Sequence, residues 1–132
     1  MQFSTVFIAT ILAATSTIAA PTKNNAEEVH QLGKRVAANT QSCSARDNGV
    51  SSAEYTVTIG EPFANGVGCG SLNNAILEAG VPISDFTCAP GGPGADNTVV
   101  TFTNQQGQSK QINTAFGTFY PMVNGGFNCP DF

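Results

Sequence analysis

The chain has 132 residues with five Lys or Arg and nine Asp or Glu, a formal net charge of −4. This length indicates one domain. The acidic balance argues against nucleic-acid binding, which needs a basic face, and against a polybasic membrane-surface peptide.

The first twenty residues predict secretion. An apolar run over 6–14 is followed by small residues that end at Ala20, a pattern typical of a signal peptide cut after Ala20. The run is far shorter than the ~20 residues of a membrane-spanning helix. We therefore expect residues 1–20 to be removed and the protein to be extracellular, with no stable membrane span.

A second processing site is predicted after a short pro-segment. Residues 21–35 are polar and end in Lys34-Arg35, a pair typical of sites cut by kexin-type proteases of fungi. An ordinary solvated pair of charges is the alternative. Cleavage after Arg35 leaves residues 36–132, which carry Arg46 and Lys110 against seven acidic residues, a net charge of −5, and no histidine.

Alternating apolar residues predict four strands. Residues 36–52 are small and polar, and we interpret them as an irregular arm. Alternation predicts a first strand over 54–59 and short strands over 83–88, 98–103 and 127–129.

Two apolar stripes at helical spacing predict two helices. Ser71 caps the first helix and Gly80 ends it, while Ser109 caps the second helix and Pro121 stops it. The apolar positions are Leu72, Ala75, Ile76 and Ala79 in the first helix, and Ile112, Ala115, Phe116 and Phe119 in the second.

The predicted element order is β-α-β-β-α-β. Residues 86–90 recur loosely at 127–130, which suggests two similar βαβ halves, although chance similarity over so few positions is the alternative. This order predicts an α+β fold, a ferredoxin-like split sandwich with a four-stranded antiparallel sheet and both helices on one face.

Four cysteines in a short secreted chain predict two disulfides, with three possible connectivities. In the predicted topology Cys69 and Cys88 lie at one end of the sheet, and Cys43 and Cys129 lie at the other. The expected pairs are therefore Cys43–Cys129 and Cys69–Cys88.

The residues offer little catalytic chemistry. A segment 36–132 without histidine has no Ser-His-Asp or Cys-His pair, and its cysteines lack the Cys-x-x-Cys spacing of zinc or redox motifs. The glycine-rich loop 66–71 lacks the Lys of a phosphate-binding loop, so we attribute its glycines to clearance around the Cys69 disulfide. We expect no catalytic residue, no metal site and no cofactor.

Two Gly/Pro-rich loops, 60–70 and 89–97, are the expected contact region because long loops held by disulfides often carry function. The candidate contact residues are Phe63, Pro90, Pro93 and Asp96, and core packing is the alternative for Phe63.

Four features together resemble those of a known protein family. They are a signal peptide, a pro-segment ending in Lys34-Arg35, Cys69 at the start of the first helix and Phe-x-Cys strand ends. The chain is similar to the small secreted fungal proteins that share the fold of the virally encoded killer toxin of smut fungi, many of which are candidate effectors. The resemblance implies an effector or toxin-like protein that binds an extracellular or host protein. A secreted protease inhibitor or ligand-binding module is the alternative, and a carboxylate-based hydrolase is a third hypothesis. We expect this chain to be a monomer.

Overall fold

A computed structural model describes residues 35–132. The predicted signal peptide with Ala20, and the pro-segment as far as Lys34, lie outside the described residues. The secondary-structure elements are β1 (Gln41–Asp47), β2 (Ser52–Ile59), a 3₁₀ turn (Ala64–Gly66), α1 (Cys69–Glu78), β3 (Ile83–Gly91), β4 (Asn97–Gln105) and α2 (Ser109–Phe119).

The four strands form one antiparallel sheet in the order β1-β2-β4-β3, and both helices cover the same face of it. Alternate residues of β2 and β4 point into the core, where they meet the apolar stripes of α1 and α2. The largest fully buried side chains of these elements are Tyr55, Val57, Ile59, Val100 and Phe102 from the sheet, and Leu72, Ile76, Ile112 and Phe116 from the helices. The predicted α+β class, with a four-stranded antiparallel sheet and two helices on one face, is confirmed.

The element order differs from the predicted one, because it is β-β-α-β-β-α. Residues 36–52, predicted to be an irregular arm, contain β1, which pairs along the edge of β2. Cys43 and Ala45 of β1 pack against the core. A tight hairpin turn through Asn48 and Gly49 joins the two strands, and Gly49 has φ +105°. The connection has four residues, 48–51, and Ser51 also has positive φ, at +62°.

The predicted strand over 127–129 is wrong, because β1 already occupies the edge of β2 that it was expected to take. This C-terminal segment instead lies in the core beside α2. The Asn113 side chain accepts from the Cys129 backbone N at 2.7 Å and donates to the Cys129 carbonyl at 3.3 Å. The Tyr55 hydroxyl donates to the Pro130 carbonyl at 3.2 Å. The echo between 86–90 and 127–130 therefore does not mark equivalent elements.

Both predicted disulfides are confirmed. Cys43 and Cys129 are joined with their Cα atoms 4.8 Å apart, and Cys69 and Cys88 with theirs 6.0 Å apart. The first bridge does not lie at the end of the sheet as expected, because Cys43 is paired opposite Val57 inside the β1–β2 ladder.

Candidate functional site: the loop end

Four connecting segments converge at one end of the sheet, where β2, β3 and α2 finish and where β1, β4 and α1 begin. These segments are the arm 35–40, the loop 60–68, the turn 92–96 and the segment 120–126. We call this region the loop end. The β1–β2 hairpin and the turn from β4 to α2 lie at the opposite end.

Backbone hydrogen bonds join the four segments to one another. The Asn39 N–H donates to the Gly60 carbonyl at 3.0 Å, and the Asn124 N–H donates to the Asn39 carbonyl at 2.8 Å. The Phe63 N–H donates to the Ala95 carbonyl at 3.0 Å, which links the loop 60–68 to the turn 92–96. The loop end is thus a connected surface built from segments distant in sequence.

An apolar strip runs across the loop 60–68. The Phe63 ring lies against Gly66, where an added Cβ would meet it at 3.4 Å, and the Phe119 ring lies against Gly68, where an added Cβ would meet it at 3.7 Å. Both glycines have positive φ, which favours residues without a Cβ. Val67, between them, is 84% exposed. The strip therefore presents a valine to solvent between two half-buried aromatic rings.

The Cys69–Cys88 bridge anchors this strip. Cys69 is the first residue of α1, immediately after the loop 60–68, and Cys88 lies in β3 before the turn 92–96. The Cys69 sulfur lies 3.8 Å from the position of a Cβ on Gly66. One covalent link therefore ties the two loops that the sequence analysis singled out.

The charge of the loop end is acidic apart from Arg35. The Arg35 guanidinium donates to Asp96 Oδ2 at 2.7 Å, and both side chains are more than half exposed. Burial raises the pKa of Tyr120 above its ordinary value, and the nearby Glu61 carboxylate raises this pKa further. Of the described residues from 36 onward, the loop end holds the carboxylates of Glu61 and Asp96 and no Lys or Arg.

The two cations of segment 36–132 lie towards the opposite end. Arg46, near the end of β1, makes two hydrogen bonds to the Glu54 carboxylate at 2.8 and 2.9 Å. The hydrogen bond and the charge of Glu54 raise the pKa of Arg46. Lys110 is in the first turn of α2. The loop end of this segment therefore carries two carboxylates and no cation, whereas the other five carboxylates lie on the rest of the domain together with both cations.

The structure brings three of the four candidate contact residues to the loop end. Phe63 is half-buried in its apolar strip, while Pro93 and Asp96 are exposed in the turn 92–96. Pro90 is displaced from the predicted loop, because β3 continues to Gly91 and pairs Pro90 with Thr98. The predicted loop 89–97 is thereby shortened to 92–96.

Two exposed apolar residues at this end, Val67 and Met122, were not predicted from the sequence. Met122 is 49% exposed and follows α2 by three residues. No local signal distinguishes them, because single exposed apolar residues are common on protein surfaces and Val50 of the β1–β2 hairpin is another.

No protein-family model, curated protein or solved structure matches the chain. Within residues 35–132 no helix is both long and apolar enough to span a bilayer. The same part of the chain contains no cluster of three or more His, Cys, Asp or Glu side chains placed to hold a metal ion.

Proposed function

We propose that the protein is a small secreted fungal effector or toxin-like protein that binds an extracellular or host protein through its loop end. The supporting observation is the exposed apolar strip around Val67, anchored by a disulfide and bordered by carboxylates. Two disulfides are compatible with an extracellular protein, because such bridges persist in oxidising compartments.

The composition of the loop end suggests the chemistry of the partner. Val67 and the edges of Phe63 and Phe119 offer apolar contact, while Glu61 and Asp96 offer anionic contact. Charge complementarity directs association and excludes wrong partners. The partner surface we propose is an apolar patch bordered by Lys or Arg.

We propose binding and not catalysis as the mode of action. All four cysteines are held in disulfides, and segment 36–132 has no histidine. The Ser84 hydroxyl donates to the Asp85 carboxylate at 3.0 Å, and both side chains are exposed to solvent. An open depression of about 320 Å³ near the start of β3 offers hydrogen-bonding groups without an ionisable side chain, from Ser52, Ser84, Thr103, Asn104 and Gln105, beside Pro82 and Ile83.

A protease inhibitor is the weaker alternative. The loop 60–68 is disulfide-anchored, as an inhibitory loop would be, but its tip Ala64–Gly66 is a 3₁₀ turn and Asn65 has φ +57°. A protease cleft binds its peptide extended, so this turn is the wrong shape for such a loop.

Two exposed valines provide a matched test. Val67 is 84% exposed at the loop end, and Val50 is 99% exposed in the β1–β2 hairpin at the opposite end. The Val67→Asp and Val50→Asp variants introduce the same charge at comparable exposure. Purified protein is infiltrated into plant leaf tissue and applied to fungal cells, and the response is measured against dose.

We expect Val67→Asp to raise the dose needed for the response at least tenfold, which corresponds to about 1.4 kcal/mol of binding free energy. Val50→Asp should match the unaltered protein, and both variants should keep its unfolding midpoint. If the two variants change the dose needed for the response equally, the interface does not lie at the loop end. Loss of activity on replacing a carboxylate outside the loop end, such as Asp85, by its amide, with the fold intact, would instead favour catalysis.

A further inference from the structure

The bond that the proposed processing cuts is held against the folded domain. On its N-terminal side, the Arg35 guanidinium is paired with Asp96 at 2.7 Å. On its C-terminal side, the Val36 N–H donates to Asn97 Oδ1 at 3.3 Å, and Asn97 Nδ2 donates back to the Val36 carbonyl at 3.1 Å. Asn97 is 3% exposed, so its amide is a fixed partner for the arm.

The arm turns sharply just after this bond. The Ala37 carbonyl accepts hydrogen bonds from the Thr40 N–H at 3.1 Å and from the Thr40 hydroxyl at 2.6 Å. It also lies so close to Gly60 that a Cβ there would clash with it. Asn39 has φ +57°, which completes the turn back towards β1. Residues 35–40 are therefore docked in a bent conformation.

A serine protease binds its peptide extended on both sides of the scissile bond, so the docked arm does not fit such a cleft. Proteolysis of a folded protein proceeds through a locally opened state, and its rate follows the population of that state when opening is fast. Every contact that holds the arm then lowers the rate of cleavage.

We propose that Asp96 and Asn97 form a clamp that restrains removal of the pro-segment until the arm detaches. The inference rests on the proposed processing after Arg35 and adds a regulatory contact to it. Hydrolysis adds one water across the Arg35–Val36 bond and leaves a carboxylate on Arg35 and an ammonium on Val36. Val36 keeps a donor for Asn97, whereas Arg35 departs with the pro-segment.

Departure of Arg35 changes the loop end itself. The guanidinium neutralises Asp96, and its side chain packs over Gly92, where an added Cβ would meet Arg35 Cγ at 3.5 Å. Cleavage uncovers this turn and leaves the Asp96 carboxylate open to a cationic partner. The uncleaved chain thus covers part of the surface that we propose for binding, and the cleaved chain exposes it.

The clamp is tested by cutting the folded, disulfide-bonded chain that still carries its pro-segment with a kexin-type protease. The product that begins at Val36 is followed by intact mass. Asn97→Ala removes both hydrogen bonds to Val36, and we expect cleavage about five times faster or more. Asp96→Asn removes an exposed ion pair, and we expect an increase of about two- to fivefold. Asp85→Asn, an exposed carboxylate of β3 away from the arm, should leave the rate unchanged.

Urea separates release of the arm from general unfolding. Rates are measured below the unfolding transition, where local detachment depends only weakly on urea and global unfolding depends on it steeply. The clamp predicts that the cleavage rate depends weakly on urea for the unaltered chain and for the Asn97→Ala and Asp96→Asn variants.

The clamp would be overturned if the three variants were cleaved at the same rate, Asn97→Ala, Asp96→Asn and Asp85→Asn. It would also be overturned if the folded chain were cleaved as fast as the reduced, unfolded chain. If the unfolded chain is not cut after Arg35, the processing and the clamp both fail. The Val67→Asp comparison is made on the chain that begins at Val36, so it tests the binding surface whatever the cleavage results are.

Discussion

Removing each disulfide in turn should separate the global stability of the protein from the rigidity of its loop end. The pairs are removed as Cys43→Ala/Cys129→Ala and as Cys69→Ala/Cys88→Ala, so that neither variant carries a free thiol. The two bridges differ in span, because the first closes 86 residues and the second closes 19.

The chain-entropy model gives the expected magnitudes. For these spans it assigns about 4.6 kcal/mol to the long bridge and about 3.2 kcal/mol to the short one at 25 °C. Both are large against the roughly 5–15 kcal/mol that stabilises a typical domain. Urea unfolding should therefore show the lower midpoint for the Cys43/Cys129 variant.

Binding activity should show the reverse order. The Cys69–Cys88 bridge joins the loop 60–68 to β3, whereas the Cys43–Cys129 bridge ties β1 to the C-terminal segment. At a temperature where both variants remain folded, the Cys69/Cys88 variant should lose more activity in the leaf and cell assays. If the variant with the lower midpoint is also the less active one, activity follows global stability, and the role given to the short bridge is refuted.

Three further substitutions test the packing. Tyr120→Phe should reduce the loss of unfolding free energy at alkaline pH. The raised pKa of Tyr120 in the folded state gives stability that is present below the ordinary tyrosine pKa of about 10 and is lost as pH rises through the folded value. The same dependence of stability on pH above ~9 in the variant and the unaltered protein would contradict this. Asn113→Ala leaves two buried backbone groups unpaired and should lower the unfolding free energy by about 1–3 kcal/mol, against little change for exposed Asn74→Ala. Gly60→Ala forces a backbone clash and should destabilise by about 1–3 kcal/mol, whereas Gly117→Ala, in open space within α2, should stabilise by about 0.5–1 kcal/mol; equal effects in thermal unfolding would refute the clash.

The helices and three of the strands were predictable because each carries a complete local signal. The stripe from Leu72 to Ala79 ends at Gly80, and Gly80 has φ +79°, as a helix-ending glycine requires. The structure starts α1 two residues before the predicted cap Ser71, at Cys69. Boundaries are the weaker part of such predictions, because the first turn has no intrahelical N–H partners to mark it.

Strand β1 was missed because it carries a weak signal of its own. Its inward residues, Cys43 and Ala45, are small, and its outward residues are Ser and Arg. The stronger hint was Gly49 among polar residues between two strand-like segments, a composition typical of a longer hairpin connection.

The loop end was only half predictable because its segments meet through backbone contacts. Gly/Pro content identified the loops, and the topology placed Cys69 beside Cys88. Nothing in the local sequence links Asn39 to Asn124 or Arg35 to Asp96, because those contacts follow from which segment borders β2.

The fold depends on which segment pairs with the free edge of β2. The segment 127–129 offers three residues and must return from α2, whereas β1 offers seven and closes on β2 through a tight hairpin. Short closure loses less chain entropy, and the longer ladder satisfies more backbone groups, so the local strand takes the edge. Because β1 runs away from the loop end, its preceding arm must begin there. The same competition that displaces the predicted fourth strand therefore places the proposed processing site next to Asp96 and Asn97, on the proposed binding surface.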